Sequence, residues 1–150
     1  MQNDLEYRLF KEELTLAPIS KRVLAFIVDT ILLVLIVIAA MGDKFAGKNI
    51  EQTINAMNQA LLFIMLVEIA YHAVFVRLYG ATIGKMILKI RVVDINMFAN
   101  PTWASSVIRA SIRFMGETPI LCLIFLWAFF DPFRQGWHDK FAKTLVINAA

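Results

Sequence analysis

Two long apolar stretches dominate the pattern of hydrophobic and polar positions. In residues 23–41, VLAFIVDTILLVLIVIAAM, only Asp29 and Thr30 are polar. A helix needs about 20 apolar residues to cross the hydrocarbon core, so the pattern predicts a first membrane span over 22–41. A second stretch predicts another span over 57–77, and it carries Glu68 and His72. The polar, charge-balanced segment 42–56 reads as the loop between them. Ahead of the first span, Leu5, Leu9, Phe10 and Leu14 recur at helical spacing among charges. That spacing predicts a short amphipathic helix, on the membrane surface or against the rest of the protein. Pro18 ends this tail, and Ser20 is the expected N-cap of the first span.

Beyond the second span the period changes. The basic segment 80–101 ends in a run rich in β-branched residues, Lys89 to Asp94, and 143–148 has the same character. Both read as strands, able to pair into a small ribbon outside the membrane. Between them, 103–130 begins as a helix with Arg109 and Arg113 four residues apart. It continues through a turn or kink at Glu117-Thr118-Pro119 into the apolar run 119–130. Apolar runs of about 10–14 residues are more often re-entrant or interfacial than spanning. A hairpin entering and leaving one face is therefore favoured over a single kinked helix that crosses. The fold class expected is an all-α membrane protein. It has two full transmembrane helices, a re-entrant or kinked helical hairpin and a small cytoplasmic two-stranded ribbon.

Composition agrees. The chain is 59% hydrophobic, above the roughly 45–50% of soluble domains, and its 150 residues suit one domain. It divides into a tail, 1–20, and a membrane domain, 21–150. The first apolar run exceeds the roughly 7–15 residues of a signal peptide's core, so it is expected to stay in the membrane. The net charge of +3 is small, and the basic residues border apolar spans instead of forming a separate patch. That argues against nucleic-acid binding. Lys21 and Arg22 precede the first span, and Arg77, Lys85, Lys89 and Arg91 follow the second. Only Lys44 and Lys48 lie between the spans. By the positive-inside rule the N-terminus faces the cytoplasm, and Arg134, Lys140 and Lys143 put the C-terminal region there too. The chain is thus expected to be a multi-pass membrane protein with a cytoplasmic N-terminus.

Asp29 demands an explanation, since a carboxylate inside a span is costly unless protonated, paired or facing a cavity. Arg22 and Asp29 are seven residues apart, on one helix face and about 10 Å apart along the axis. Counted back from Arg77, His72 lies about 7.5 Å and Glu68 about 13.5 Å inward. The depth of Asp29 falls between them, so Asp29, Glu68 and His72 form a candidate proton or cation cluster if the spans pack face to face. In the competing reading Asp29 is held by Arg109 or Arg113 as a structural lock. Lys85, Lys89, Arg91, Arg109 and Arg113 are expected to attract anionic lipid headgroups or to pair with acids. Asp139 follows His138 in a polar turn and is expected to cap or ion-pair there. Gly80-x-x-x-Gly84-Lys85 is one spacer short of a phosphate loop, and Met86 stands where serine or threonine is needed. Cys122, the one cysteine, reads as a packing residue. With no metal-ligand set, no cofactor motif and no nucleophile placed beside a base, no catalytic residues, metal or cofactor are expected, and the chain does not read as an enzyme.

Three segments, Lys21 to Asp29, Thr82 to Asp94 and Arg134 to Lys140, together resemble the RDD family of small bacterial membrane proteins. The family is named for an arginine opening the first helix, an aspartate within it and a second aspartate. The resemblance assigns these to Arg22, Asp29 and Asp139. Lys143 departs from it, since the family often has glycine before the threonine. Some members are linked to cation/proton exchange and others to regulating or assembling other membrane proteins. The expected function is cation/proton transport through the acidic cluster, in a homo-oligomer because two spans cannot enclose a path. The alternative is a non-catalytic scaffold or regulatory subunit of a partner membrane protein.

Overall fold

A computed structural model describes residues 2–44, 47, 49–116 and 127–149. The chain is mostly helical, with two helices long and apolar enough to cross a membrane and one two-stranded sheet among the described residues. Helix α1 is Gln2–Lys11, α2 is Ile19–Met41 and α3 is Ile50–Tyr79. A short α4, Ile83–Ile87, leads into strand β1, Ile90–Asp94. Helix α5, Trp103–Gly116, and a short α6, Trp137–Phe141, precede β2, Thr144–Asn148. The junction at Glu117, Cys122 and most of the 119–130 run lie outside the described residues.

Length and exposure mark α2 and α3 as candidate membrane spans. At about 1.5 Å per residue, the 23 residues of α2 and 30 of α3 are longer than the roughly 30 Å hydrocarbon core. Ile31, Leu35 and Ile38 of α2 and Leu61, Leu62 and Leu66 of α3 are all more than half exposed. Such continuous apolar surface suits lipid, not water. Helix α3 runs further than the expected 57–77 because both ends are capped. Asn49 accepts from Gln52 N at 2.9 Å while Gln52 Oε1 accepts from Asn49 N at 3.4 Å. At the other end Gly80, at φ 70°, donates to Val76 O at 3.0 Å. Helix α2 corrects the expected cap. It starts at Ile19 with extended Pro18 as its N-cap, whose carbonyl accepts from Arg22 N at 3.3 Å. Ser20 lies inside the first turn, because the fixed φ of proline already sets the helix entry.

The predicted strands form an antiparallel ribbon, with Ile90 opposite Asn148 and Asp94 opposite Thr144. Both its faces are buried, which is why its residues form a nearly unbroken apolar run. Ile90, Val92 and Val146 point to one core with Ala17, Ala25 and Val76. Val93, Leu145 and Ile147 point to the other with Leu9 and Phe133. This is the two-residue alternation of a strand. Leu9 therefore anchors α1 against the ribbon. The segment after α1 adds to its edge, with Ala17 N donating to Val146 O and Asn148 N to Thr15 O. Helix α2 packs mainly on α4, and α3 mainly on α5, while α2 and α3 touch each other little. Lys143, leading into β2, has φ 51°. That left-handed geometry is a reason for glycine at this position.

Candidate functional site

Asp29 is fully buried, and its acceptor oxygens are taken by α3, the turn after it and the start of α4. Thr82 Oγ1 donates to Oδ2 at 2.6 Å. Tyr71 Oη and Gly84 N donate to Oδ1, each at 2.8 Å. Tyr71 Oη also accepts from Ile83 N at 3.1 Å. The carboxylate thus sits at the amino end of α4, where free N–H groups and the helix dipole favour negative charge. Its approach depends on Gly84. A Cβ there would lie 2.4 Å from Ala25 O and 2.9 Å from Asp29 Oδ1. Asp29 is in effect a cap that one span supplies to a helix beyond the next.

Asp139 forms a second buried centre. Its position in the first turn of α6 lets Oδ2 accept from Gly136 N at 3.3 Å. Arg109 Nη2 approaches Oδ1 at 2.7 Å, and Arg22 Nη1 approaches Oδ2 at 3.4 Å. Arg22 also donates to the carbonyls of Arg134 and of Val146, the latter at 3.1 Å. One guanidinium at the head of α2 thereby ties together the span, the turn before α6 and β2. Burial alone would raise the Asp139 carboxyl, but Arg109, His138, Arg22 and Lys85 together hold it below the usual carboxylate range. Burial also lowers Arg109, against the opposing pull of Asp139. His138 Nε2 is 3.6 Å from Asp139 Oδ2. Burial, reinforced by Arg109, Arg113 and Lys85, pushes His138 down to about 3 despite Asp139. It is neutral at ordinary pH.

The remaining residues singled out in the sequence separate into groups. Glu68 and His72 are both buried on α3, but the hydrogen bonds to Asp29 come from Tyr71, Thr82 and Gly84. Arg109, expected as a counter-ion of Asp29, pairs with Asp139 instead. Arg113 is buried, with its guanidinium carbon 5.2 Å from the centre of the Phe26 ring. Lys85 is buried in α4 instead of lying at a surface. Lys89 is exposed, and Arg91 donates to Asn100 Oδ1 at 2.9 Å. Tyr71, Thr82 and Gly84 were missed. Threonine two residues before a glycine, opening a short helix, was the signal available for two of them. Among the described residues no group of three His, Cys, Asp or Glu side chains converges on a metal position.

The arginine of the first span thus meets one aspartate, and the other aspartate docks the helix after the second span. The sequence pattern of the RDD family matches residues 16–143, which contain all three. The chain belongs to the RDD family. It is also similar to a protein of Bacillus subtilis (strain 168) described as uncharacterized membrane protein YteJ, 29% identical over 85 residues. The match covers 56% of this chain and 50% of YteJ, so the chain spans about half the length of this curated relative. No solved structure matches the chain significantly. Within the RDD pattern, Arg22, Arg109 and Asp139 form a charge lock, and Asp29 with Tyr71, Thr82 and Gly84 forms a docking cap.

Proposed function

We propose that this RDD-family protein is a non-catalytic scaffold or regulatory subunit of a larger membrane assembly. The observation that carries this reading is the engagement of both signature carboxylates by elements of the fold. Asp29 accepts three hydrogen bonds, one of them from a backbone N–H, and Asp139 is held by two arginines. A transport carboxylate must exchange its ligands, whereas these two hold elements of the fold together. Two spans also cannot enclose a path, and the exposed apolar sides of α2 and α3 are surfaces for lipid or a partner helix. Similarity to a bacterial membrane protein supports a bacterial cell-membrane location, and the lysine and arginine distribution supports a cytoplasmic N-terminus. The pairing of β1 with β2, which flank 103–130 in sequence, supports a re-entrant hairpin there.

The test is pH-dependent cation flux in proteoliposomes, with wild type beside Asp29→Asn and Glu68→Gln. The expected result is no flux above empty liposomes across Na⁺, K⁺ or Li⁺ gradients, with Asp29→Asn lowering the yield of folded protein. Flux that disappears in a folded Asp29→Asn variant refutes the reading. One observation favours a second reading, cation/proton exchange in a homo-oligomer. His72 Nε2 is buried without a hydrogen-bond partner among the described residues, one turn from buried Glu68. Flux lost in Glu68→Gln but retained in Asp29→Asn would select it.

A further inference from the structure

Where α2, α4, α5 and α6 converge, a cavity of about 380 Å³ is lined by Arg22, Lys85, Arg109, Arg113 and Asp139. Among the described residues its wall carries four basic side chains and one carboxylate. Lys85, Arg109 and Arg113 are 5%, 4% and 7% exposed. Burying an ammonium or guanidinium costs several kcal/mol unless a counter-charge compensates it. Asp139 compensates Arg109 and Arg22. Lys85 makes no hydrogen bond or ion pair with any described residue, although it is buried beside the cavity. Burial, then Arg109 and Arg113, push its pKa well below the usual lysine range, against the opposing pull of Asp29 and Asp139. An anion in the cavity would relieve that cost.

Apart from His138, the rest of the wall among the described residues is apolar or glycine. Val23 and Phe26 of α2 and Phe129 are among its lining residues. Val23 and Phe129 are 46% and 60% exposed, and Val23 shares its side of α2 with exposed Ile27 and Ile31. The cavity thus joins buried basic groups to exposed apolar side chains continuous with the outward-facing side of α2. Arg22 lies three residues from the start of α2, about 4.5 Å along its axis, which is headgroup depth for a span beginning at Ile19. The volume falls within the roughly 300–1,000 Å³ of small-molecule sites. It suits a phosphorylated headgroup whose chains stay outside. Guanidinium groups match phosphate oxygens in pairs of parallel hydrogen bonds.

We propose that this cavity is a saturable site for the phosphate group of an anionic phospholipid, with the acyl chains leaving past Val23 and Phe129 into the leaflet that holds the start of α2. It differs from general attraction of basic residues to a charged surface in being stoichiometric and enclosed. The test is native mass spectrometry of the purified full chain in neutral detergent, titrated with phosphatidylglycerol, phosphatidylcholine or inorganic phosphate. The expected result is one phosphatidylglycerol per chain, bound at least about tenfold tighter than phosphatidylcholine. Lys85→Met should weaken it by about tenfold or more. Val23→Trp, which narrows the mouth and keeps every charge, should do the same and decides the matter if Lys85→Met fails to fold. Equal binding of the two lipids, or undiminished phosphatidylglycerol binding in folded Val23→Trp, overturns the proposal. Displacement of the lipid by an equal concentration of inorganic phosphate also overturns it, in favour of a soluble anion.

Discussion

Replacing Gly84 with alanine adds one methyl group at the tightest point between α2 and α4. The new Cβ would lie 2.4 Å from Ala25 O, a backbone atom held in the ladder of α2. Restoring an ordinary 3.4 Å contact requires α4 to withdraw by 3.4 − 2.4 = 1.0 Å. If that displacement acts along the 2.8 Å bond from Gly84 N to Asp29, it stretches the bond towards about 3.8 Å, beyond hydrogen-bonding range. Overpacking of this kind costs about 1–3 kcal/mol. A lost hydrogen bond to a charged group costs about 1.5–3 kcal/mol. Because the two effects share one movement, the expected loss is about 3–5 kcal/mol rather than their full sum. At about 2–4 °C per kcal/mol for a chain of this size, the Tm should fall by about 6–20 °C. The assay is heating in detergent followed by size-exclusion recovery of folded protein. Thr82→Val, which removes only the 2.6 Å bond from Oγ1, is the partial control and should lie between wild type and Gly84→Ala. A Gly84→Ala protein within about 2 °C of wild type would refute the docking argument.

Three further outcomes follow from the charge lock and the ribbon. Arg109→Met should destabilise by about 3–5 kcal/mol, because it strands a buried carboxylate. Adding Asp139→Leu should recover part of that loss, and strictly additive losses in a double-mutant cycle would exclude the pairing. His138 is pushed down to about 3 amid Asp139, Arg109, Arg113 and Lys85. Its depressed pKa means the unfolded chain binds the extra proton first. Stability from this group is complete above about pH 6.5 and falls by about 1.4 kcal/mol per pH unit below it, down to the folded value. Between pH 7 and 5 the wild type should lose about 2 kcal/mol that His138→Gln does not, and parallel pH curves would refute this. Lys143→Gly should gain up to about 1 kcal/mol by relieving the left-handed backbone at φ 51°, read as a higher Tm; an unchanged or lower Tm would contradict it.

Much of the fold was legible because its signals are one-dimensional. Run length identified α2 and α3, and β-branched runs identified β1 and β2. The partner of Asp29 was not legible in the same way. Depth arithmetic gives a residue's position along a helix axis but not the direction its side chain faces. That arithmetic puts Asp29 between Glu68 and His72 in depth, yet α2 packs mainly on α4, and its hydrogen bonds come from Tyr71, Thr82 and Gly84. Arg109 was recognised as a counter-ion but given to the wrong aspartate, because the turn carrying Asp139 is brought to α5 by tertiary packing alone. The expected cap at Ser20 moved to Pro18 because a ring-fixed φ outweighs a side-chain preference.

The ties made by Arg22 also constrain the order in which the protein can mature. Its carboxylate partner, Asp139, is 117 residues downstream, and its carbonyl partner in Val146 is further still. At synthesis rates of about 5–20 residues per second, the ribosome needs roughly 6–23 s to reach Asp139 after adding Arg22. Once Met41 has been added, α2 is complete for the rest of that interval, and its leading guanidinium has only water and lipid phosphates for company. Membrane insertion and completion of the fold are therefore separate events, and a nascent chain stalled between them presents an inserted but unfastened span to the cell's proteases and chaperones.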